Sequence, residues 1–371
     1  MANRSSDWSN RARFCGTASR GRVIADKLKI LVVDDSAIYR SLVQGCVRDL
    51  PELRCVGTAR NGSEAVSKAA ELRPDLILLD VEMPVMSGLE AIPLLRKVVP
   101  DAGIIMISSL TIEGANVTME ALHAGAFDFV TKPQVKAGED GFSALREPLH
   151  AAVAAFLEGR LRRARTAQSS TRAKERGKAP TIDVVAIGIS TGGPSALSEL
   201  VPKLPADLRV PVLIVQHMPA RFTSSLADSL DRRSKLRVFE AEEGRPLRAG
   251  EVLVAPGGKH LTVAVANSEP FARLTHTEPV NSFRPSVDVL FSSLSASLPG
   301  RALCLIMTGM GADGLEGVKR VRARGGWCIA QDQSSCAVYG MPRSVIDAGQ
   351  ADEVISLDEL PARIVEIARA R

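Results

Sequence analysis

Short unbroken runs of β-branched and aliphatic residues recur along this chain with helical patterns between them, and most end abruptly on glycine or on a residue able to do chemistry. In the first half the runs are Ile30 to Val33, Cys55 to Ala59, Leu76 to Leu79, Ile104 to Ile107 and Phe127 to Val130. In the second half they include Asp183 to Ile187, Val212 to Gln216 and Leu303 to Met307. Apolar runs this short, without polar alternation, read as strands buried on both faces, the habit of parallel sheets covered by helices. The expected fold class is therefore α/β: an N-terminal five-stranded parallel domain, then a doubly wound, mainly parallel α/β domain. Groups at the carboxyl ends of such strands share one crevice, so the residues just after each run are the functional candidates.

In the second half, the run from Asp183 enters Gly188-Ile189-Ser190-Thr191-Gly192-Gly193, whose glycines permit a sharp strand-to-helix turn with Ser190 at its tip. The run from Val212 ends on His217, and the run from Leu303 passes through Thr308-Gly309-Met310-Gly311-Ala312 to Asp313. Together they make a candidate Ser-His-Asp triad: the imidazole takes the serine proton during attack on a carbonyl, and the carboxylate fixes the ring tautomer. Competing readings are a capping serine, a structural histidine, and an aspartate at the start of the helical pattern that runs to Arg324. His260 and His276 are weaker bases by this test because neither follows a long apolar strand; His260 reads as a loop residue lining the cleft. Ser195 and Ser286 read as ordinary capping or surface serines. Backbone amides near Thr191 and Met310 are the candidate oxyanion donors.

In the first half, Asp34-Asp35 follow the first run, Asp80 the third, Ser108 the fourth and Lys132-Pro133 the fifth. Three carboxylates converging on one sheet edge repel one another, and a hard divalent cation such as Mg2+ neutralises them. With a hydroxyl and an ammonium alongside, the edge suits receipt of a phosphoryl group.

These residues carry two resemblances. From about Thr181 the chain resembles the catalytic domain of bacterial chemotaxis protein-glutamate methylesterases, which are also protein-glutamine deamidases. The likeness runs through Ile187 to Pro194, Val215 to Pro219, Ala255 to His260, Arg284 to Phe291, Met307 to Gly314 and Tyr339 to Pro342. It implies Ser190 as nucleophile, His217 as general base and Asp313 as its orienting carboxylate, with no cofactor in the esterase site. Over about 120 residues the first half resembles the receiver domain of two-component response regulators. That likeness implies Asp80 as phosphoacceptor, with Asp34, Asp35, Asp80 and the Glu82 backbone carbonyl holding Mg2+. It also implies Lys132 on the phosphoryl oxygens, Ser108 as sensor and Phe129 as switching aromatic. The function expected is a phosphorylation-activated serine hydrolase that demethylates glutamate methyl esters on chemoreceptors, releasing methanol, and deamidates their glutamines. Its partners would be chemoreceptors and a histidine kinase, and its crevice would be open to a macromolecular substrate. The alternative is a phospho-regulated, non-catalytic interaction module. Dinucleotide binding is disfavoured because Ser190 stands where the glycine fingerprint needs its second glycine.

The 371-residue length suits two domains. The expected boundaries are a disordered extension 1–27, a receiver 28–150, a basic linker 151–180 and a catalytic domain 181–371. The extension is Arg- and Ser-rich like a transit peptide, yet reads better as disorder or an over-called start. Part of the net charge of +5 comes from the Arg- and Lys-rich stretch between Arg160 and Pro180. That stretch lacks interleaved aromatics and any DNA-binding motif, so no nucleic acid partner is expected. No run is long enough to insert in a membrane, and the six cysteines show no metal or disulfide spacing, so a cytoplasmic, reduced, monomeric protein is expected.

Overall fold

In the computed structural model, which describes residues 27–133, 141–166 and 180–369, the apolar runs form two parallel sheets, each covered by helices on both faces. Residues 1–26 of the expected extension, with Cys15, and residues 167–179 of the expected linker lie outside the described residues.

The N-terminal domain alternates β1 (Leu28–Val33), α1 (Ala37–Arg48), β2 (Leu53–Ala59), α2 (Gly62–Leu72), β3 (Leu76–Asp80), α3 (Gly88–Val98), β4 (Gly103–Ser108), α4 (Ile112–His123), β5 (Asp128–Thr131) and α5 (Gly141–Thr166). Its sheet order is β2-β1-β3-β4-β5, all parallel, so the chain reverses direction across β1 and β3. Helices α1, α2 and α4 start where a side chain takes up an otherwise orphaned amide: Ser36 accepts from Tyr39, Asn61 from Glu64, and Thr111 from Gly114. Ser87 and Glu90 cap one another reciprocally at the start of α3.

Helix α5 departs from the expected boundary. It continues through Thr166 instead of yielding to a linker at 151, because Leu145, Leu149, Val153 and Phe156 form a helical stripe buried against the sheet.

The C-terminal domain contains β6 (Val184–Ile189), α6 (Gly193–Leu200), β7 (Val212–Gln216), α7 (Phe222–Asp231), β8 (Arg237–Glu240), β9 (Glu251–Val254), β10 (His260–Ala266), β11 (Glu269–Thr275), α8 (Val287–Ser297), β12 (Ala302–Ile306), α9 (Leu315–Ala323), β13 (Trp327–Gln331), α10 (Met341–Asp347), β14 (Glu353–Ile355) and α11 (Leu360–Arg369). Seven strands pair in parallel in the order β14-β13-β12-β6-β7-β9-β8. The antiparallel hairpin β10–β11 stands apart and packs on α8. Strands β6, β7 and β12 lie side by side at the centre and are wholly buried, so their carboxyl ends open together.

The two domains meet where α4 packs against α6 and α7. Phe129 of β5 stacks on Phe222 of α7, ring centres 4.6 Å apart and planes 12° apart. Arg221 donates from Nη1 to the Leu110 carbonyl at 2.7 Å. His123 at the end of α4 hydrogen-bonds Ser198 of α6. Among the described residues, no cysteine is in a disulfide, and no helix is long and apolar enough to cross a membrane. Burial pushes the thiols of Cys304 and Cys328 up, which keeps them protonated and inert.

Candidate active site

Ser190 is the first residue beyond β6, and His217 the first beyond its neighbour β7; the paired register Ile189 with Gln216 brings the two onto adjacent strand ends. The turn is held from several sides. Ser190 N–H donates to the Thr308 carbonyl at 2.9 Å, and Gly193 N–H donates to the Ser190 carbonyl at 2.8 Å. Gln216 Nε2 donates to that same carbonyl at 3.0 Å. Gly192 lies at φ 74°, where L-residues are strained. Gly309 must be glycine for space: a Cβ there would stand 2.8 Å from the Ser190 Cβ.

His217 Nε2 and Asp313 Oδ2 are 2.8 Å apart, and both side chains are nearly excluded from solvent, at 4% and 0% exposure. Asp313 Oδ2 also accepts from Val287 N at 2.7 Å. Its Oδ1 accepts from Asn281 Nδ2 at 2.8 Å, Ser286 Oγ at 2.8 Å and Asp288 N at 3.3 Å. Burial by itself raises this carboxyl's pKa, but the hydrogen bond and charge of His217, with the Asn281 and Val287 donors, outweigh it and hold the value down to about 2. The carboxylate is thus fully ionised and turned toward the ring.

With Nε2 committed to Asp313, the nitrogen left for proton transfer is Nδ1, which is buried and has no hydrogen-bond partner. The serine-to-imidazole hydrogen bond expected from the triad is therefore not formed in this state, although the two residues sit on adjacent strand ends. Ser190 is 8% exposed, whereas Met310 on the neighbouring loop is 46% exposed. The amides of Thr191 and Met310, the expected oxyanion donors, have no internal acceptor.

Other expectations are corrected. Ser286 is not a surface serine: it stands at the N-cap position of α8, but it is buried and its hydroxyl donates to Asp313 rather than capping the helix. His260 is not a loop residue but the first residue of β10, fully buried, accepting from Ser286 N at Nδ1 and facing the Glu278 carbonyl with Nε2. Two contributors, Asn281 and Phe283, were not singled out in the sequence. Val280 and Phe283 exchange backbone hydrogen bonds across Asn281 and Ser282, both left-handed at φ 54° and 69°, a two-residue hairpin turn. From it Asn281 reaches both Asp313 and Asp288, and Phe283 stacks on the His217 ring at 3.7 Å between centres and 4° between planes. Asn followed by a small polar residue between apolar ones was the available sign of that turn.

At the edge of the N-terminal sheet, Asp34, Asp35 and Asp80 each bring a carboxylate oxygen within 4.8 Å of the others. Lys132 Nζ bridges Asp34 Oδ2 at 2.9 Å and Asp80 Oδ2 at 2.8 Å. Burial, reinforced by the neighbouring Asp34 charge and only partly offset by Lys132, pushes the Asp80 pKa up to about 7. Ser108 is turned away from this cluster: its Oγ donates to the Gly114 carbonyl at 3.2 Å and accepts from Thr118 Oγ1 at 2.7 Å. Glu82 is exposed and contributes no side chain to the cluster. Phe129 packs on the other domain through Phe222.

Comparison with known proteins agrees with both halves. Residues 185–364 match the family model for CheB methylesterase, and residues 30–138 match the response regulator receiver domain. Over 359 residues the chain is 42% identical to a protein-glutamate methylesterase/protein-glutamine glutaminase of Desulfotalea psychrophila, covering 91% of this chain and 98% of that one. The Thermotoga maritima protein of the same name is 40% identical over 348 residues, covering 92% and 98%. The crystal structure of the Thermotoga maritima CheB methylesterase catalytic domain superposes with a TM-score of 0.50 at 40% identity, covering 50% of this chain and 99% of that one.

Proposed function

This chain belongs to the family of protein-glutamate methylesterases and protein-glutamine glutaminases that carry a receiver domain, and we propose on that footing that Ser190, His217 and Asp313 are its hydrolytic machinery. The enzyme hydrolyses glutamate methyl esters and glutamine amides of proteins under control of its receiver. The observation that carries the residue assignment is the 2.8 Å bond from His217 Nε2 to a permanently ionised Asp313, which leaves a buried, lone-pair-bearing Nδ1 beside the nucleophile's strand end.

In this reading, Nδ1 takes the Ser190 proton as Oγ attacks the side-chain carbonyl carbon. The carbonyl oxygen becomes an oxyanion, met by the unpaired amides of Thr191 and Met310. The proton on Nδ1 then passes to the leaving group, which departs as methanol from an ester or ammonia from an amide. Water, deprotonated by Nδ1, attacks the acyl-serine, and the proton returns to Ser190 as glutamate is released. Asp313 stays ionised throughout and stabilises the transient imidazolium. Methanol release from methylated receptor membranes tests the assignment: Ser190→Ala falls to background, a loss of about 10^6 in kcat, and equal release by variant and wild type would overturn it.

Asp80 is the proposed phosphoacceptor, fed by a histidine kinase. Asp34, Asp35 and Asp80 fit a hard oxygen-seeking cation: burial, with the Asp34 charge added to it, raises the pKa of Asp80, and Mg2+ held there would neutralise both the carboxylates and an incoming phosphoryl group. Lys132 already lies on Asp80 and would follow the phosphoryl oxygens. The state described here is the restrained one. Ser108 faces Gly114 and Thr118, while the loop after it is tied to the catalytic domain by Arg221. Drawing Ser108 toward a phosphorylated Asp80 would pull that loop and shift the domains toward an open population.

A further inference from the structure

We propose that Phe283 is a positioning residue of the hydrolytic reaction, setting the plane of the His217 ring so that Nδ1 is presented to Ser190. The inference rests on the reading of His217 as the base. The covalent tether through Cβ and the hydrogen bond at Nε2 fix two points of the imidazole and leave its plane free to turn about the line that joins them. Nothing holds the opposite nitrogen, since Nδ1 has no hydrogen-bond partner. The missing constraint is the flat face of Phe283, 4° from parallel to the imidazole at 3.7 Å between centres, so that any turn of the ring drives it into or away from that face.

Phe283 can index the ring because it is itself fixed. Mutual backbone bonds of 2.9 and 3.1 Å to Val280 close the turn beneath it. Asn281, in the same turn, donates at 2.8 Å to Asp313 and at 2.8 Å to Asp288. Asp288 in turn accepts from Gly317 N at 2.7 Å at the start of α9. One turn thus carries the references for the carboxylate and for the plane of the base. The π-face also meets the positive charge that the ring acquires only during proton transfer, which favours the transition state over the ground state.

The test uses the full-length, phosphorylated enzyme on methylated receptor membranes. Phe283→Leu keeps most of the volume and loses the flat face: kcat should fall about tenfold, equivalent to roughly 1.4 kcal/mol of transition-state stabilisation, with KM within about twofold. Phe283→Tyr restores the face and should recover at least half of the wild-type kcat. Labelling of Ser190 by a small fluorophosphonate should slow in Phe283→Leu by the same factor as kcat, because it needs the base but not the receptor. Unchanged kcat and labelling in Phe283→Leu overturn the proposal, as does a change confined to KM. His217→Gln is the control for the underlying reading: if it retains activity the base is misassigned, whereas inactive His217→Gln with unaffected Phe283→Leu refutes Phe283 alone. Should Phe283→Leu fail to fold, Phe283→Tyr and Phe283→Met decide, the first active and the second slowed; equal rates for these two refute the proposal.

Discussion

Arg221→Gly separates interdomain restraint from catalysis more cleanly than any other single substitution in the chain. Arg221 stands at φ 75° immediately before α7, a conformation that costs a non-glycine residue about 1 kcal/mol. Glycine relieves that strain and adds a comparable entropy to the unfolded chain, so the net effect on folding is about zero. What is lost is the 2.7 Å bond from Nη1 to the Leu110 carbonyl, two residues beyond Ser108. This bond is exposed, and its net worth is about 0.5–1.5 kcal/mol. At 1.36 kcal/mol per decade, the open fraction should rise by about 2- to 13-fold. The assay is methanol release from methylated receptor membranes by the unphosphorylated full-length protein, then by the same protein charged with a small phosphodonor and Mg2+. Basal release should rise several-fold while the phosphorylated rate stays at the wild-type ceiling. An unchanged basal rate in a variant with wild-type melting behaviour would refute the claim that this contact restrains the enzyme.

Removing one Asp313 donor by Ser286→Ala should raise the carboxyl's pKa from about 2 toward its ordinary value. Because a depressed carboxylate stabilises the fold above its unfolded pKa and loses that contribution as pH falls through its folded pKa, the stake is about 2 kcal/mol lost between roughly pH 4 and 2. Urea melts across that window should show the variant failing at higher pH than wild type. Asp80 has the opposite sign: its pKa of about 7 means wild-type stability declines as pH rises from about 4 to 7. Asp80→Asn should therefore be the more stable protein by about 2–4 kcal/mol at pH 8 in EDTA, and nearly equal to wild type at pH 4; a variant less stable at pH 8 would contradict this. Val85 is 87% exposed and held at φ 70°, unfavourable for a β-branched residue. Val85→Asn should raise stability by about 1 kcal/mol, read as a higher melting temperature.

The central strands were legible because burial on both faces leaves an aliphatic run between polar stops, and the eight strands read from such runs differ from them by at most two residues at either end, whereas β8 to β11, β13 and β14 were not read. Strand β6, for instance, carries on through Gly188 and Ile189 before the turn begins. Residues at strand ends were legible for the same reason, since the end of a strand is a position in sequence as well as in space. Helix α5 was obscured where arginine and alanine dominate its composition and mask the stripe from Leu145 to Phe156. The roles of Asn281, Phe283 and Ser286 could not be read from periodicity, because they arise from a hairpin turn and its approach to β7 and β12. His260 misled for a related reason: the strand it opens stands outside the parallel sheet, in a hairpin with its own alternation.

The members of the triad are not equally free to move, and this decides where regulation can act. Asp313 is held by Asn281, Ser286, Val287 and Asp288 as well as His217, so displacing it breaks a whole web at once. The Ser190 backbone is pinned by Thr308, Gly193 and Gln216. His217 is held through its backbone by Ile189 and Gln216 and through its ring by Asp313 and Phe283, but the segment it begins, Met218 to Arg221, ends on the other domain at Leu110 and continues into the Phe222–Phe129 stack. A shift of the loop after Ser108 reaches that segment through one side chain and one aromatic pair, without passing through the core of either domain. The hydrogen bond missing in the restrained state, between Ser190 and His217, is the one whose geometry depends on this segment. Restraint by the receiver therefore need not be a matter of covering the site alone. The contacts at Arg221 and Phe222 that join the two domains also hold the segment that follows the base, so releasing them frees that segment.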